Sequence, residues 1–227
     1  MATSPTFNTR AAITRSMLGW GIVAGPFYIF VGVVHALLRP EFEFSQHALS
    51  LLMLTETGWI QRINLILAGI MVIFAAWGMG RSVEGPARAR TLLILIAAYG
   101  ASLIGGGLFP PDAVEGFLPG AEAAVSTSGI LHLAFGGIGF LMLAAAAVVF
   151  SSWCQSRESG RGRLLSILAG LVVTLGFVGG ATLSTMPAGV LLLWIAVVMG
   201  FVWLAGASLY AYRTVPHPDG DRTAKES

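Results

Sequence analysis

Residues 129–163 read GILHLAFGGIGFLMLAAAAVVFSSWCQSRESGRGR. Residues 129–150 contain no Asp, Glu, Lys or Arg, and then Arg157, Arg161 and Arg163 follow in close order. An apolar run of about 20 residues crosses the ~30 Å of hydrocarbon in a bilayer at ~1.5 Å per residue. Arginine just behind such a run marks the side on which the chain was held during insertion. The pattern recurs along the chain, with apolar runs at 17–38, 59–80, 91–109, 129–150, 164–183 and 189–212. Basic residues avoid every second gap. Arg10, Arg15, Arg81, Arg88, Arg90, Arg157, Arg161, Arg163, Arg213, Arg222 and Lys225 fall on one side, and only Arg39 and Arg62 on the other. Cytoplasmic loops keep Lys and Arg. The expected fold is therefore all-α: a six-transmembrane-helix bundle with both termini cytoplasmic, multi-pass in the plasma (inner) membrane.

Composition agrees. The chain has 227 residues, 56% hydrophobic and 11% charged, where a soluble domain is nearer a quarter charged. Six spans and short loops use the whole length, so a separate soluble domain is not expected. The net charge of +2 comes from arginines scattered over several segments. That suits an anionic inner leaflet and not a nucleic-acid groove. Cys154 is the one cysteine, which rules out an internal disulfide and a cysteine metal cluster. It reads as a plain interfacial residue and not as a palmitoylation site.

The loops carry the remaining detail. Residues 1–16 read as a cytoplasmic arm and 213–227 as a disordered cytoplasmic tail. In the first outer loop, 39–58, the stretch HALSLLML is too apolar to stay in water and reads as a short interfacial helix begun by Ser45. Helix three should stop near Phe109, because Pro110-Pro111 cannot continue it. The second outer loop holds Asp112, Glu115 and Glu122 and no basic residue. Trp20, Trp77, Trp153, Tyr210 and Tyr212 fall at expected inner ends and Trp59 at an outer one, as rings that favour the headgroup layer do.

Small residues report which helix faces pack, since lipid offers no hydrophobic drive for helices to associate. Helix one carries Gly21, Gly25, Tyr28, Gly32 and His35 at helical spacing. Helix two carries Gln61, Asn64, Ala68, Met71, Ala75 and Gly78, and helix four Ser128, His132, Gly136 and Gly139. Each stripe turns polar at its outer end. His35, His47, Ser50, Gln61, Asn64, Asp112, Ser128 and His132 thus form a candidate outer pocket, with Arg62 near the interface either meeting a lipid headgroup or, as the plainer reading, snorkelling to water. The plainer alternative is that these groups hydrogen-bond loop backbone at helix ends.

Several chemistries can be weighed on these residues. Zinc hydrolysis of a lipid would draw ligands from His35, His47, His132 and Asp112, a base from Glu41 or Glu43, and help from Ser50. No HExxH supports it. A haem between His35 and His132 is a second alternative. No charge lies at mid-depth, where Tyr28, Tyr99, Ser102 and Thr174 are the polar groups, and ion-coupled transport normally needs one. GxSxG is missing, and the glycine pairs do not form phosphate loops. The sequence favours a multi-pass protein that binds a lipid or small amphiphile, or acts as a membrane scaffold. Expected partners are membrane lipids, a small amphiphile and a second copy of the chain in a homo-oligomer, and not nucleic acid. Cofactor, metal and catalytic residues stay undetermined at this point.

The ordered set GPFYIFVGVVHALLRPEFEFSQHALSLLMLTETGWIQRINLILAG, then GGGLFPPD, then STSGILHLAFGGIGF resembles the bacterial and archaeal six-span family catalogued as domain of unknown function 998. The likeness covers roughly residues 17–212. It implies the six-span architecture and no particular chemistry. His47, Ser50, Gln61, Asn64, Asp112 and His132 stand on motif positions of that resemblance.

Overall fold

The structure is a computed structural model and describes residues 7–114, 117–118, 125–184 and 186–219. Among the described residues it is all helical. The order is α1 (Thr9–Leu37), a short 3-10 helix (Leu49–Leu54), α2 (Gly58–Ser82), α3 (Pro86–Leu108), α4 (Thr127–Ser156), α5 (Gly160–Thr182) and α6 (Pro187–Thr214). All six α-helices are long and apolar enough to cross a membrane. They form a ring in chain order, with α1 closing on α6, and α6 also touches α2 and α4. One end of the bundle carries the start of α1 and the end of α6; the opposite end carries the 3-10 helix.

Local chemistry sets the boundaries. The Asn8 side chain caps α1 by accepting from Ala11 N at 3.0 Å, and Ser126 caps α4 by accepting from Gly129 N at 3.0 Å, each satisfying a donor the helix cannot. Pro86 and Pro187 open α3 and α6 at their first turns, where the missing N–H costs nothing. Phe109, ahead of Pro110, ends α3. Turns of three residues, 83–85 and 157–159, force consecutive helices to lie antiparallel. Gly85 supplies φ +89° in the first and Glu158 φ +56° in the second.

Four expectations change. Residues 9–16 are helix and not a loose arm. Arg15 Nη1 donates to the Val215 carbonyl at 2.7 Å, its guanidinium lies 3.9 Å from the Tyr212 ring centre, and Asn8 N donates to the Pro218 carbonyl at 3.0 Å. The start of α1 and residues 212–218 therefore brace each other, within the stretch expected to be a disordered tail. The acidic and basic residues Glu115, Glu122, Arg222 and Lys225 lie outside the described residues. The HALSLLML segment starts its helix at Leu49, after Ala48, and is a 3-10 helix; Ser45 stays in a turn before it. Six residues give two short turns, too few to repay an α-helix nucleus. Trp153 is fully buried and does not present its ring to the headgroup layer, held by the rings of Phe150 (5.3 Å) and Tyr210 (5.4 Å) and donating to Glu84 at 3.3 Å. Cys154 beside it is likewise buried.

The 3-10 helix is folded onto α1 and α2. Leu49, Leu51, Leu52 and Met53 are buried, which at ~25 cal/mol per Å² of apolar surface is what holds so short an element in place. A Cβ on Gly32 would come within 2.8 Å of Leu49 Cδ1, so the α1 stripe is the seat for this leucine.

Candidate functional site

The α1 stripe of Gly21, Gly25, Tyr28, Gly32 and His35 is buried throughout, as is the α2 stripe of Gln61, Asn64, Ala68, Met71, Ala75 and Gly78. Phe201 of α6 sits on Gly25, where a Cβ would lie 2.6 Å from it. Its ring meets Tyr28 at 5.2 Å and Tyr99 at 6.3 Å. These three rings floor a cavity of about 300 Å³ inside the ring of helices. Leu103, Gly136, Phe140, Phe177, Leu193 and Val197 wall it, and Ser50, Asp112 and His132 line it toward the far end. Tyr28 and Tyr99 each stand nine residues from the far end of their helices, about 13 Å below it. The site is apolar along its walls and polar at its two levels.

His132 is held by α3. Its Nδ1 lies 3.0 Å from the Gly106 carbonyl oxygen and 2.8 Å from that of Phe109. Two carbonyls can only accept, so Nδ1 carries the proton and donates, and in the neutral ring Nε2 is left as an acceptor. The carbonyls are orphans of the last turn of α3, so this ring caps one helix while lining the cavity. Asp112 also has two tasks. Its Oδ1 accepts from Ser126 N at 3.1 Å and from Ser126 Oγ at 2.5 Å. A Cβ on Gly129 would run into its carboxylate. The anion sits against the first turn of α4, where it is favoured. Ser128 is at the same junction and donates to the Pro110 carbonyl at 2.8 Å.

The other expected residues are dispersed. Gln61 Nε2 donates to the Tyr28 hydroxyl at 3.3 Å, and Asn64 Nδ2 donates to the Tyr28 carbonyl at 3.0 Å and to Gln61 Oε1 at 3.2 Å. Both are buried behind Tyr28 and position it without lining the cavity. His35 is buried, with Nε2 2.8 Å from the Thr57 hydroxyl, to which Arg39 also donates. His47 Nδ1 accepts from Glu43 N at 2.9 Å, and its ring meets Phe117 edge-on at 4.8 Å. Burial holds the His47 imidazole below its ordinary value, with the Glu43 carboxylate opposing. The His47 carbonyl accepts from the Trp194 indole at 3.3 Å. Arg62 is half-buried on α2 and is not among the cavity residues.

Sharing of one cavity by His35 and His132 is therefore corrected. α1 packs on α2 and α6, α4 packs on α3 and α5, and the two helices carrying these rings do not touch. Among the described residues no three His, Cys, Asp or Glu side chains come together as metal ligands, so His35, His47, His132 and Asp112 do not assemble into a zinc set. Tyr99, Phe140, Phe177, Trp194 and Phe201 border the cavity although sequence reasoning did not select them as site residues. The available signal was that Tyr28 and Tyr99 are the two tyrosines away from helix ends.

No curated protein and no solved structure matches the chain. A family match, described as protein of unknown function (DUF998), runs over residues 22–210 and takes in all six helices. By that extent and that architecture, the chain is a multi-pass membrane protein belonging to the DUF998 family.

Proposed function

We propose that this protein binds a lipid or small amphiphile in the cavity between its helices, with the polar mouth facing the outer side of the plasma membrane. The supporting observation is the cavity itself: about 300 Å³ of largely apolar space with polar groups at its mouth and floor. That is about twice the ~150 Å³ apolar cavity that accepts benzene. The eleven-to-two split of basic residues supports the orientation, since it puts the mouth on the side opposite the arginines.

The test is native mass spectrometry of the protein released from a mild detergent. The expected result is a retained small molecule. Gly136→Leu should expel it, because a Cβ there meets only Phe177 at 3.8 Å and the rest of the side chain extends into the cavity. His132→Leu should lower retention more than His217→Leu. A protein that retains nothing from its membrane and takes up no added amphiphile would sink the proposal in favour of a scaffold role.

A further inference from the structure

We propose that the occupant is a cationic single-chain amphiphile, a protonated long-chain amine, whose ammonium head is held at Asp112 and whose chain lies along α4. The inference rests on the reading of the cavity as a binding site and names the class of its ligand.

Shape limits the ligand to one chain. Gly129, His132, Leu133, Gly136 and Phe140 of α4 all line the cavity. Their steps of 3, 1, 3 and 4 residues put them on one face of the helix. From Gly129 to Phe140 that face runs about 16 Å at ~1.5 Å per residue. The cavity is therefore a slot parallel to the helix axis. Its volume of about 300 Å³, spread over that length, leaves a cross-section of about 20 Å², the width of a single alkyl chain. The length corresponds to roughly a dozen bonds of extended chain.

Chemistry is graded along the slot. Tyr28, Phe140, Phe177 and Phe201 bring rings to its deeper part. Among the described residues Asp112 is the one charged side chain of the lining, and it stands at the mouth against Gly129. Its Oδ1 accepts from Ser126 N and Ser126 Oγ, which completes its part in capping α4. No Lys or Arg pairs with it among the described residues, and Oδ2 has no hydrogen-bond partner there. One turn further along the same face, His132 Nε2 is an acceptor, because Nδ1 is committed to the Gly106 and Phe109 carbonyls. The Ser50 hydroxyl, also in the lining, can serve either way. The mouth thus offers two acceptors, one of them an anion, and an ammonium answers with charge and three N–H donors.

The surroundings favour the same sign. The segments that join helices at this end, 38–57, 109–126 and 183–186, hold six acidic residues and one arginine. With Arg62 of α2 included, the formal charge of this end is −4. Such a field draws cations toward the mouth and repels anions. A carboxylate or phosphate head would lie beside Asp112 with no cation to meet it, which disfavours fatty acids and phospholipids.

The experiment titrates the full-length protein in phosphatidylcholine nanodiscs with dodecylamine, dodecanol and dodecanoic acid, read by native mass spectrometry. At about pH 7 the amine is protonated and the acid ionised. Dodecylamine is expected to bind about tenfold tighter than either other probe. Asp112→Asn keeps an oxygen acceptor for Ser126. It should bring dodecylamine to within about twofold of dodecanol and leave dodecanol itself unchanged within about twofold. Gly136→Leu should abolish binding of all three by filling the slot. Dodecanol or dodecanoic acid binding as tightly as dodecylamine would overturn the inference while the cavity remained a binding site. So would a preference for the amine that survives Asp112→Asn. Failure of all three probes to bind, or binding untouched by Gly136→Leu, would remove the binding site as well. Should Asp112→Asn not fold, the order of the three probes on the native protein decides alone.

Discussion

Gly69 of α2 and Gly100 of α3 face each other across their seam, each beside the other's carbonyl. A Cβ on Gly69 would lie 2.5 Å from the Gly100 carbonyl oxygen, and one on Gly100 would lie 2.7 Å from that of Gly69. The two backbones approach this closely only because neither position has a side chain, which is how helices gain packing in lipid. The seam also fixes the level of Tyr99, the neighbour of Gly100, at the cavity floor.

A β-branched side chain on either glycine should push α2 from α3. Gly69→Val and Gly100→Val are each expected to destabilise by about 1–3 kcal/mol, measured by thermal or denaturant unfolding in detergent. Gly19→Ala and Gly206→Ala are the controls. Nothing lies within 4 Å of a Cβ at either, and alanine is the better helix former by ~1 kcal/mol, so these should be neutral or stabilising. Equal losses at all four positions would refute the close-packed seam.

Docking of the 3-10 helix should weaken as pH falls. His47 precedes it, and burial keeps its imidazole below the ordinary 6.5. Above that value the ring is neutral whether docked or not, and docking is complete. As pH falls through 6.5 toward the depressed value, the undocked chain takes up a proton that the docked ring refuses, and stability is lost. Amide-exchange protection at Leu51–Thr55 should therefore drop between about pH 7 and pH 5. His47→Gln keeps an acceptor for Glu43 N and does not titrate, so its protection should stay flat. A wild-type profile as flat as the variant's would count against this.

Orientation is testable with single cysteines, because the native Cys154 is buried and contributes little background. Glu56 is exposed at the far end, and Gly160 has open space around a Cβ. In intact cells an impermeant maleimide should label Glu56→Cys and spare Gly160→Cys until the membrane is permeabilised. The opposite pattern would invert the molecule and turn the cavity mouth to the cytoplasm.

The six spans, the stop at Pro110 and the buried stripes of α1 and α2 were legible in the sequence, because each depends on residues within a few turns of one another; the caps at Asn8 and Ser126 were not singled out there. Apolar run length, a proline at a boundary and the spacing of glycines are local facts. Of the residues singled out in the sequence, Ser50, Asp112 and His132 line one cavity. Which helices are neighbours was not, and that separated His35 from His132, since ring order is set by interhelical packing and leaves no periodicity in the chain. Nor could sequence assign the proton on His132, which follows from two α3 carbonyls brought to it by α4. Trp153 read as an interfacial ring and became core because Phe150, Tyr210 and Glu84 converge on it from three helices or turns. Tyr99 looked like one more mid-membrane polar group. Only the packed bundle shows it beside Phe140 and Phe201 at the edge of the cavity, because neighbours supplied by other helices leave no trace in the local sequence.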